Sequence, residues 1–529
     1  MQRFLFVIIL FSISAFTTYK SYLAQKVFRE KNIPIYDGVS YEKRQIETFE
    51  RFKNNFSFWK KKVEIPIEFN RLGHGSGFNS AVILFNPIWL SNDYDVVIRG
   101  FLSLFIFSLI FFKFLKSRMN EIKALLFILL FFNFPLFYNY RYGVTTYIPE
   151  IPSALILLAG YIQFLIFFKS QKLIYFALAS VLIISPMFFR LNFFVFSGLF
   201  VFPLIYKSYL IFKIKNLFGK TFMISVTIFC LSVYFFYVHF HLNFFLDYYV
   251  KEVAYDAPNR LKSILSFFDN FNSFYGLIGL ISLILMIVFV NKQEFSTNWN
   301  EKLLISYPFL FHFSFVMIYL GAINTPHVLS AMAIFFILIC TNSSELIHSF
   351  SKKVSDKLLI MSSVLCLIAL NINFVLAYNN NNQTFPEYKA SKNVIELIKR
   401  DKELNKSYKY LCLYYEIEEV PIDVQVYKET GFWLNSKDHF FFHDTWYYDY
   451  VDKNLCDTTC ANFYIKKIES QDFNLIVIND SIYPDIAQYP LASRVNKMLM
   501  VYLKNSNRYK PVNYIKTAYH GGIIFYKRK

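Results

Sequence analysis

Two carboxylates stand in contexts that could do chemistry. Asp37 lies in Ile33-Pro34-Ile35-Tyr36-Asp37-Gly38-Val39-Ser40-Tyr41-Glu42, beside a glycine and between aromatic residues. An acid in that position can take a proton from an attacking hydroxyl as a general base, and an Asp-Gly pair can equally form a simple turn. Glu150 lies in Tyr147-Ile148-Pro149-Glu150-Ile151-Pro152 and is followed by fifteen residues without a charge. A carboxylate at a helix N-terminus gains from the helix dipole, and Pro is at home there, so a capping role is one reading. The other is functional, because an ionisable group at the mouth of a spanning helix is costly to shelter.

The cations that could face a developing negative charge are Arg141, Arg190 in Phe189-Arg190-Leu191-Asn192, and His327 in Asn324-Thr325-Pro326-His327. Arg190 can also snorkel to lipid headgroups, and His327 can be an ordinary loop histidine. The run Arg71-Leu72-Gly73-His74-Gly75-Ser76-Gly77 either lets backbone approach a ligand, with His74 as a further phosphate contact, or forms a glycine-rich loop. Cys456 and Cys460 have the spacing of a local disulfide or are two free thiols, whereas Cys230, Cys340 and Cys366 fall in apolar runs that favour inert buried thiols.

The elements that must carry these residues are apolar helices. The chain has 529 residues, 55% hydrophobic and only 17% charged, a balance a single soluble core does not need. Apolar runs of spanning length predict about eleven helices, near 3–19, 96–115, 122–138, 149–168, 173–189, 192–206, 221–241, 274–291, 303–320, 326–341 and 358–378. A cytoplasmic N-terminus puts about fifteen Lys and Arg in the inner loops, among them Lys113, Lys116, Lys169, Lys172, Lys213 and Lys353, and few in the short outer ones. The first segment is read as a retained signal anchor, with a cleaved signal peptide as the alternative, because its apolar stretch from Phe4 to Phe16 is short but no convincing small-residue cleavage site follows. The net charge of +18 is spread over these loops and not gathered into a stripe, which argues against nucleic-acid binding and for contact with membrane lipids.

The expected fold is an α-helical polytopic membrane protein with a long first external loop, 20–95, inside a membrane domain of residues 1–378. A C-terminal α/β domain outside the cytoplasm, 379–529, has strands expected at Lys409–Tyr415, Leu475–Ile478 and Gly522–Tyr526 and helices at Lys389–Arg400 and Leu491–Leu503.

This arrangement resembles the glycosyltransferases of the C fold (GT-C), in particular the bacterial members similar to protein O-mannosyltransferases and lipid A aminoarabinose transferases. The likeness rests on a first helix, a long external loop with an acidic residue soon after it, a second acidic residue opening a later helix, and a terminal external domain. It implies that Asp37 is the catalytic base, that Glu150 is the family's second acidic position, and that Thr325-Pro326-His327 stands where many members carry a basic residue. It also implies a polyprenyl-phosphate-linked sugar as donor, a lipid, glycan or protein acceptor, and a bacterial inner membrane location. Some relatives use a divalent cation, and no residue set in this sequence has metal-motif spacing. Family members often carry Pro-Pro late in the first loop, where this chain has the glycine-rich run around His74.

In that chemistry the lipid phosphate is already a competent leaving group, so Arg141, Arg190 and His327 would contribute by meeting its growing charge. Direct displacement inverts the anomeric centre. Two other readings stay open: a lipid or glycan flippase or transporter, whose charges would line a path at mid-bilayer depth, and a glycan-binding module in which Trp433, Trp446, Tyr447 and their neighbours stack on sugars.

Overall fold

The computed structural model describes residues 2–31, 42–43, 46, 94–117, 119–139, 143–146, 150–189, 193–211, 217–246, 276–288, 353–382, 396, 410–413, 424, 427–428, 458–479, 490–516 and 522–529. The chain divides into two compact units, Met1–Gln25 with Gln45–Asn379, and Lys26–Arg44 with Asn380–Lys529. The second unit therefore takes in residues 26–44, the end of the first helix among them, as well as the C-terminal residues.

The first unit is helical. Its described elements are α1 (Gln2–Lys31), α2 (Tyr94–Lys116), α3 (Glu121–Phe132), α4 (Pro135–Tyr138), α5 (Glu150–Ser170), α6 (Leu173–Ile184), α7 (Pro186–Phe189), α8 (Phe193–Ile211), α9 (Leu217–Leu246), α10 (Gly276–Val288) and α11 (Asp356–Asn381). Among the described residues five helices are long and apolar enough to cross a membrane: Phe4–Glu30, Val96–Lys116, Glu150–Ser170, Leu217–His239 and Asp356–Asn380. The chain is thus a helical membrane protein. The runs expected at 303–320 and 326–341 lie outside the described residues.

Three expected helices differ in their course. The first does not stop at residue 19 but continues to Lys31, so the loop begins later than 20. Its second half keeps an apolar stripe, with Ala24, Val27 and Phe28 buried, and adds a Lys26–Glu30 pair at the spacing that supports a helix. A reading by apolar run length ends at the first lysine, where the amphipathic pattern in fact carries on. The run 122–138 breaks after Phe132, where Asn133 ends α3 and Pro135 restarts the chain as α4. The run 173–189 is interrupted at Ser185, because Pro186 has no N–H to give to the preceding turn.

α5 is the enclosed helix of the unit, buried along most of its length and packed against α2 and α6. By contrast α9 exposes Ile224, Ile228, Phe229, Phe235 and Phe236, and α11 exposes Met361, Leu365, Ile368, Ile372 and Leu376. Apolar sides of this extent are what lipid would cover. Between α2 and α3 lies a layer of phenylalanines. Phe107, Phe111, Phe127 and Phe131 are fully buried, with ring centroids 5.1 to 6.4 Å apart. Such ring pairs contribute about 0.5–1.5 kcal/mol each beyond simple burial.

Ion pairs and amide contacts fix the direction of each helix. Lys123 near the start of α3 pairs with Asp356 at the start of α11 at 2.7 Å, and Lys113 near the end of α2 bonds Tyr175 near the start of α6. These residues mark one end of the unit. The opposite end gathers the C-terminal half of α1, the first turns of α2, the end of α3 and the first turn of α5, through the contacts described below.

The second unit holds β1 (Tyr410–Leu413), α12 (Thr458–Ser470), β2 (Leu475–Asn479), α13 (Pro490–Asn505), β3 (Tyr509–Lys516) and β4 (Gly522–Arg528). Its sheet has the order β1-β2-β4-β3. β1 and β2 run parallel, with Tyr410 opposite Leu475, and the two remaining pairings are antiparallel. Parallel neighbours need a crossover, and α12 is a helix within it. Ala461, Tyr464 and Ile468 on α12 and Leu499 and Leu503 on α13 pack with Leu411, Ile476, Ile478 and Tyr526 of the sheet. Pro511 sits in the edge strand β3, beside a register irregularity, where its missing N–H does least harm. Strands are present at 410–413, 475–479 and 522–528, where strands were expected, and the helix expected at 491–503 is present as 490–505. β3 and α12 had no counterpart in the sequence reading, and the helix expected at 389–400 lies outside the described residues except for position 396.

α5 and α6 approach closely at Gly160. A Cβ there would stand 2.8 Å from both the Ile183 backbone nitrogen and its Cγ1. Small residues at such contacts are what lets membrane helices pack backbone to backbone. Gly160→Leu is expected to destabilise the helical unit by about 1–3 kcal/mol, read as a lower thermal unfolding midpoint in detergent, while Val181→Ala on the exposed side of α6 leaves it unchanged.

Candidate functional site

Among the sequence-derived candidates, Glu150 is described, and Asp37, His74, Arg141, Arg190, His327 and Cys456 lie outside the described residues. Cys460 is the third residue of α12, and its side chain is outside them too. Cys230 and Cys366 are free and buried.

Glu150 is the first residue of α5 and is 3% exposed. Its placement follows from the sequence around it. Pro149 precedes it in the chain, Pro152 occupies the first turn, and a helix whose next five turns are apolar buries its opening residue along with the rest. An acid at this N-terminus is favoured by about 0.3–1 kcal/mol or more through the helix dipole.

The turn at 143–146 lies shortly before Glu150 and collects polar groups from two other helices. Arg99, in the second turn of α2 and buried, donates from Nη2 to the Thr146 carbonyl at 2.8 Å. Ser21 of α1 accepts from the Thr145 backbone N–H at 3.2 Å, and its Oγ lies 2.8 Å from Thr145 Oγ1. One turn further along α1, Gln25 Nε2 donates to the Asn139 carbonyl at 3.1 Å. Gly100 permits the approach, since a Cβ there would stand 2.7 Å from the Val144 carbonyl oxygen. Thus α1 and α2 both clasp the turn that feeds α5.

Beside this turn lies a buried ammonium. Lys20 is 2% exposed and donates to Asn133 Oδ1 at 2.8 Å and to Asn371 Oδ1 at 3.0 Å. Its Nζ also lies 4.6 Å from the Phe374 ring centroid, 5.1 Å from that of Tyr138 and 5.7 Å from that of Phe16. Amide oxygens and ring faces therefore meet its charge. The two amides are held in place because Asn133 Nδ2 donates to Leu129 O and Asn371 Nδ2 to Leu367 O, both at 2.7 Å. Among the described residues Tyr138 Oη, close by and buried, has no hydrogen-bond partner.

Lys20, Arg99, Asn133 and Asn371 are not among the residues that the sequence singles out. Lys20 and Arg99 both fall within candidate spans and are both buried. A signal was available for two of them: Lys20 and Arg99 are cations within candidate spans, a pattern that marks a functional or structural node in membrane helices. Among the described residues no group of three or more His, Cys, Asp and Glu side chains could hold a metal ion.

No protein-family model matches this chain, and no curated protein sequence matches it either.

The Lys20 node supports a cycle of substitutions. Asn371→Leu leaves the buried ammonium short of an acceptor and is expected to cost about 1–3 kcal/mol of stability. Lys20→Met combined with Asn371→Leu removes charge and partner together and is expected to recover most of that loss. Thermal unfolding of the two single variants, the double variant and the wild type measures the coupling; additive losses would mean that Lys20 and Asn371 do not depend on each other.

Proposed function

We propose that this chain is an integral-membrane glycosyltransferase that moves a sugar from a polyprenyl-phosphate donor to an extracytoplasmic lipid, glycan or protein acceptor, with inversion at the anomeric carbon. The proposal includes about eleven spans, a cytoplasmic N-terminus and an extracytoplasmic C-terminal unit. The observation that carries it is the buried Glu150 opening the enclosed helix α5, with buried Arg99 bonded to the turn just before it. A carboxylate and cations sheltered from lipid at one end of a helical unit suit a reaction in which a proton leaves a hydroxyl while a phosphate gains charge.

In this reading Asp37 is the general base. It accepts the acceptor hydroxyl proton as the oxygen bonds to the anomeric carbon and the bond from that carbon to the phosphate oxygen breaks. Glu150 orients the acceptor or one of the arginines. Arg141, Arg190 and His327, with His74, are the proposed contacts for the departing phosphate, and Arg99 and Lys20 add positive charge nearer the helix ends. A flippase or transporter is the second reading. Buried Lys20 and Arg99 within candidate spans favour it, because a path for an anionic headgroup would need such cations.

Purified protein incubated with radiolabelled polyprenyl-phosphate sugars and candidate acceptors tests the proposal. Asp37→Asn is expected to lower kcat by about 100-fold or more, and Glu150→Gln by roughly 10-fold or more, with the donor still bound. Headgroup movement across vesicles that is untouched by Asp37→Asn, together with no sugar transfer by the wild type, would replace the enzyme reading with the transporter.

A further inference from the structure

Glu42 is a carboxylate that the reaction above does not use, and two cations pair with it. Its side chain is 3% exposed. Arg29, on the last turn of α1, holds it with two bonds, Nη1 to Oε1 at 3.2 Å and Nη2 to Oε2 at 3.0 Å. Lys428 pairs with the same Oε1. The Arg29 and Lys428 side chains are 21% and 35% exposed, so only the acid between them is fully withdrawn from water. Fork-to-fork pairing of this kind fixes geometry as well as charge, since both guanidinium nitrogens must lie in the carboxylate plane.

The positions of these residues in the chain give the cluster its meaning. Arg29 and Glu42 are 13 residues apart, so their pairing closes the chain between them into a loop, and Asp37 belongs to that stretch. Lys428 comes from the C-terminal part of the chain. All three residues belong to the second compact unit, which joins Lys26–Arg44 to Asn380–Lys529. The segment that carries the proposed base is thus fastened by the C-terminal unit at one end and by the end of α1 at the other.

We infer that Glu42, Arg29 and Lys428 are positioning residues: the C-terminal unit, through Lys428, clasps the base of the loop that carries Asp37 and so holds the general base for transfer. This rests on the assignment of Asp37 as base. It gives the C-terminal unit a part in the reaction that an independent glycan-binding module would not have. A general base gains from being held within a fraction of an ångström of its working place, and a displacement of about 1 Å can cost on the order of 100-fold in rate. An acid carrying two cations is a strong fastening for that purpose, because removing it leaves two neighbouring positive charges that repel each other.

The full-length protein in detergent or nanodiscs tests the clasp with Glu42→Gln, Glu42→Asp and Lys428→Ala. Glu42→Gln is expected to speed amide hydrogen exchange at residues 26–31 by roughly 10- to 100-fold, with exchange in α5 unchanged as the sign of an intact fold. Glu42→Gln and Lys428→Ala should each lower kcat by about 10-fold or more while the KM for a polyprenyl-phosphate sugar stays constant. Glu42→Asp keeps the charge and should recover part of both effects. Unchanged exchange in Glu42→Gln overturns the clasp whatever the activity. Faster exchange with undiminished kcat overturns the positioning role. Faster exchange in a protein whose wild type transfers no sugar overturns both the transferase assignment and the positioning role, and leaves Glu42 as a fastening of the fold.

Discussion

Hydrocarbon offers no hydrogen-bond partner, and that constraint shapes the polar end of the helical unit. A charged or amide group inside a spanning helix must find its partners on other helices, so each one found there ties several elements together. Lys20 draws α1, the end of α3 and α11 onto a single ammonium, and Asn133 and Asn371 can accept from it because their own amide nitrogens are spent on the preceding helical turns. Arg99 ties α2 to the turn before α5 in the same way. The opposite end meets its charges differently. Lys113 and Lys116 find a phenol and a carboxylate at the rim, where long side chains can reach water, whereas Lys123 is buried against Asp356. The unit therefore locks Lys20 and Arg99 inward at one end, while Lys113 and Lys116 reach the rim at the other.

Glu150 is buried at the head of its helix. Its helix is enclosed by α2 and α6, with Gly160 and Gly100 allowing the close approaches that keep lipid away. Enclosure lowers the local dielectric, which strengthens whatever charge contacts form there and raises the cost of any that do not. For the proposed transfer, a leaving group's developing charge would be worth more to stabilise in a dry setting than in water.

Much of the helical framework could be read from apolar runs, because a run of spanning length has few alternatives in a chain with so little charge. The ends of those runs were less readable. Lys20 looked like the edge of a membrane segment, yet α1 continues, since Ala24, Val27 and Phe28 maintain a buried stripe that run length does not register. The interruptions at Asn133 and Ser185 were foreshadowed by Pro135 and Pro186, residues that the run-length reading passed over. In the C-terminal unit β1, β2 and β4 carry apolar, β-branched or aromatic runs, whereas β3 reads Tyr-Lys-Pro-Val-Asn-Tyr-Ile-Lys, an edge strand too polar for its period to stand out. Of the candidate site, Glu150 was legible because Pro-Glu at the head of an apolar run is a local pattern. The Lys20 contacts were not, because they join residues 113 and 351 positions apart and no local rule spans such separations.

The two proposed carboxylates belong to different compact units, and α1 is the covalent element common to both. Gln25, the last residue counted with the helical unit, bonds to Asn139 O, and Arg29, four residues on, grips Glu42. The rise between them is about 6 Å along one unbroken helix. Both side chains therefore project from the same run of helical backbone, which continues past the apolar run. This gives the extension of α1 beyond its apolar run a physical purpose. Had the helix ended at Tyr19, as the run alone suggested, Ser21, Gln25 and Arg29 would share no common frame.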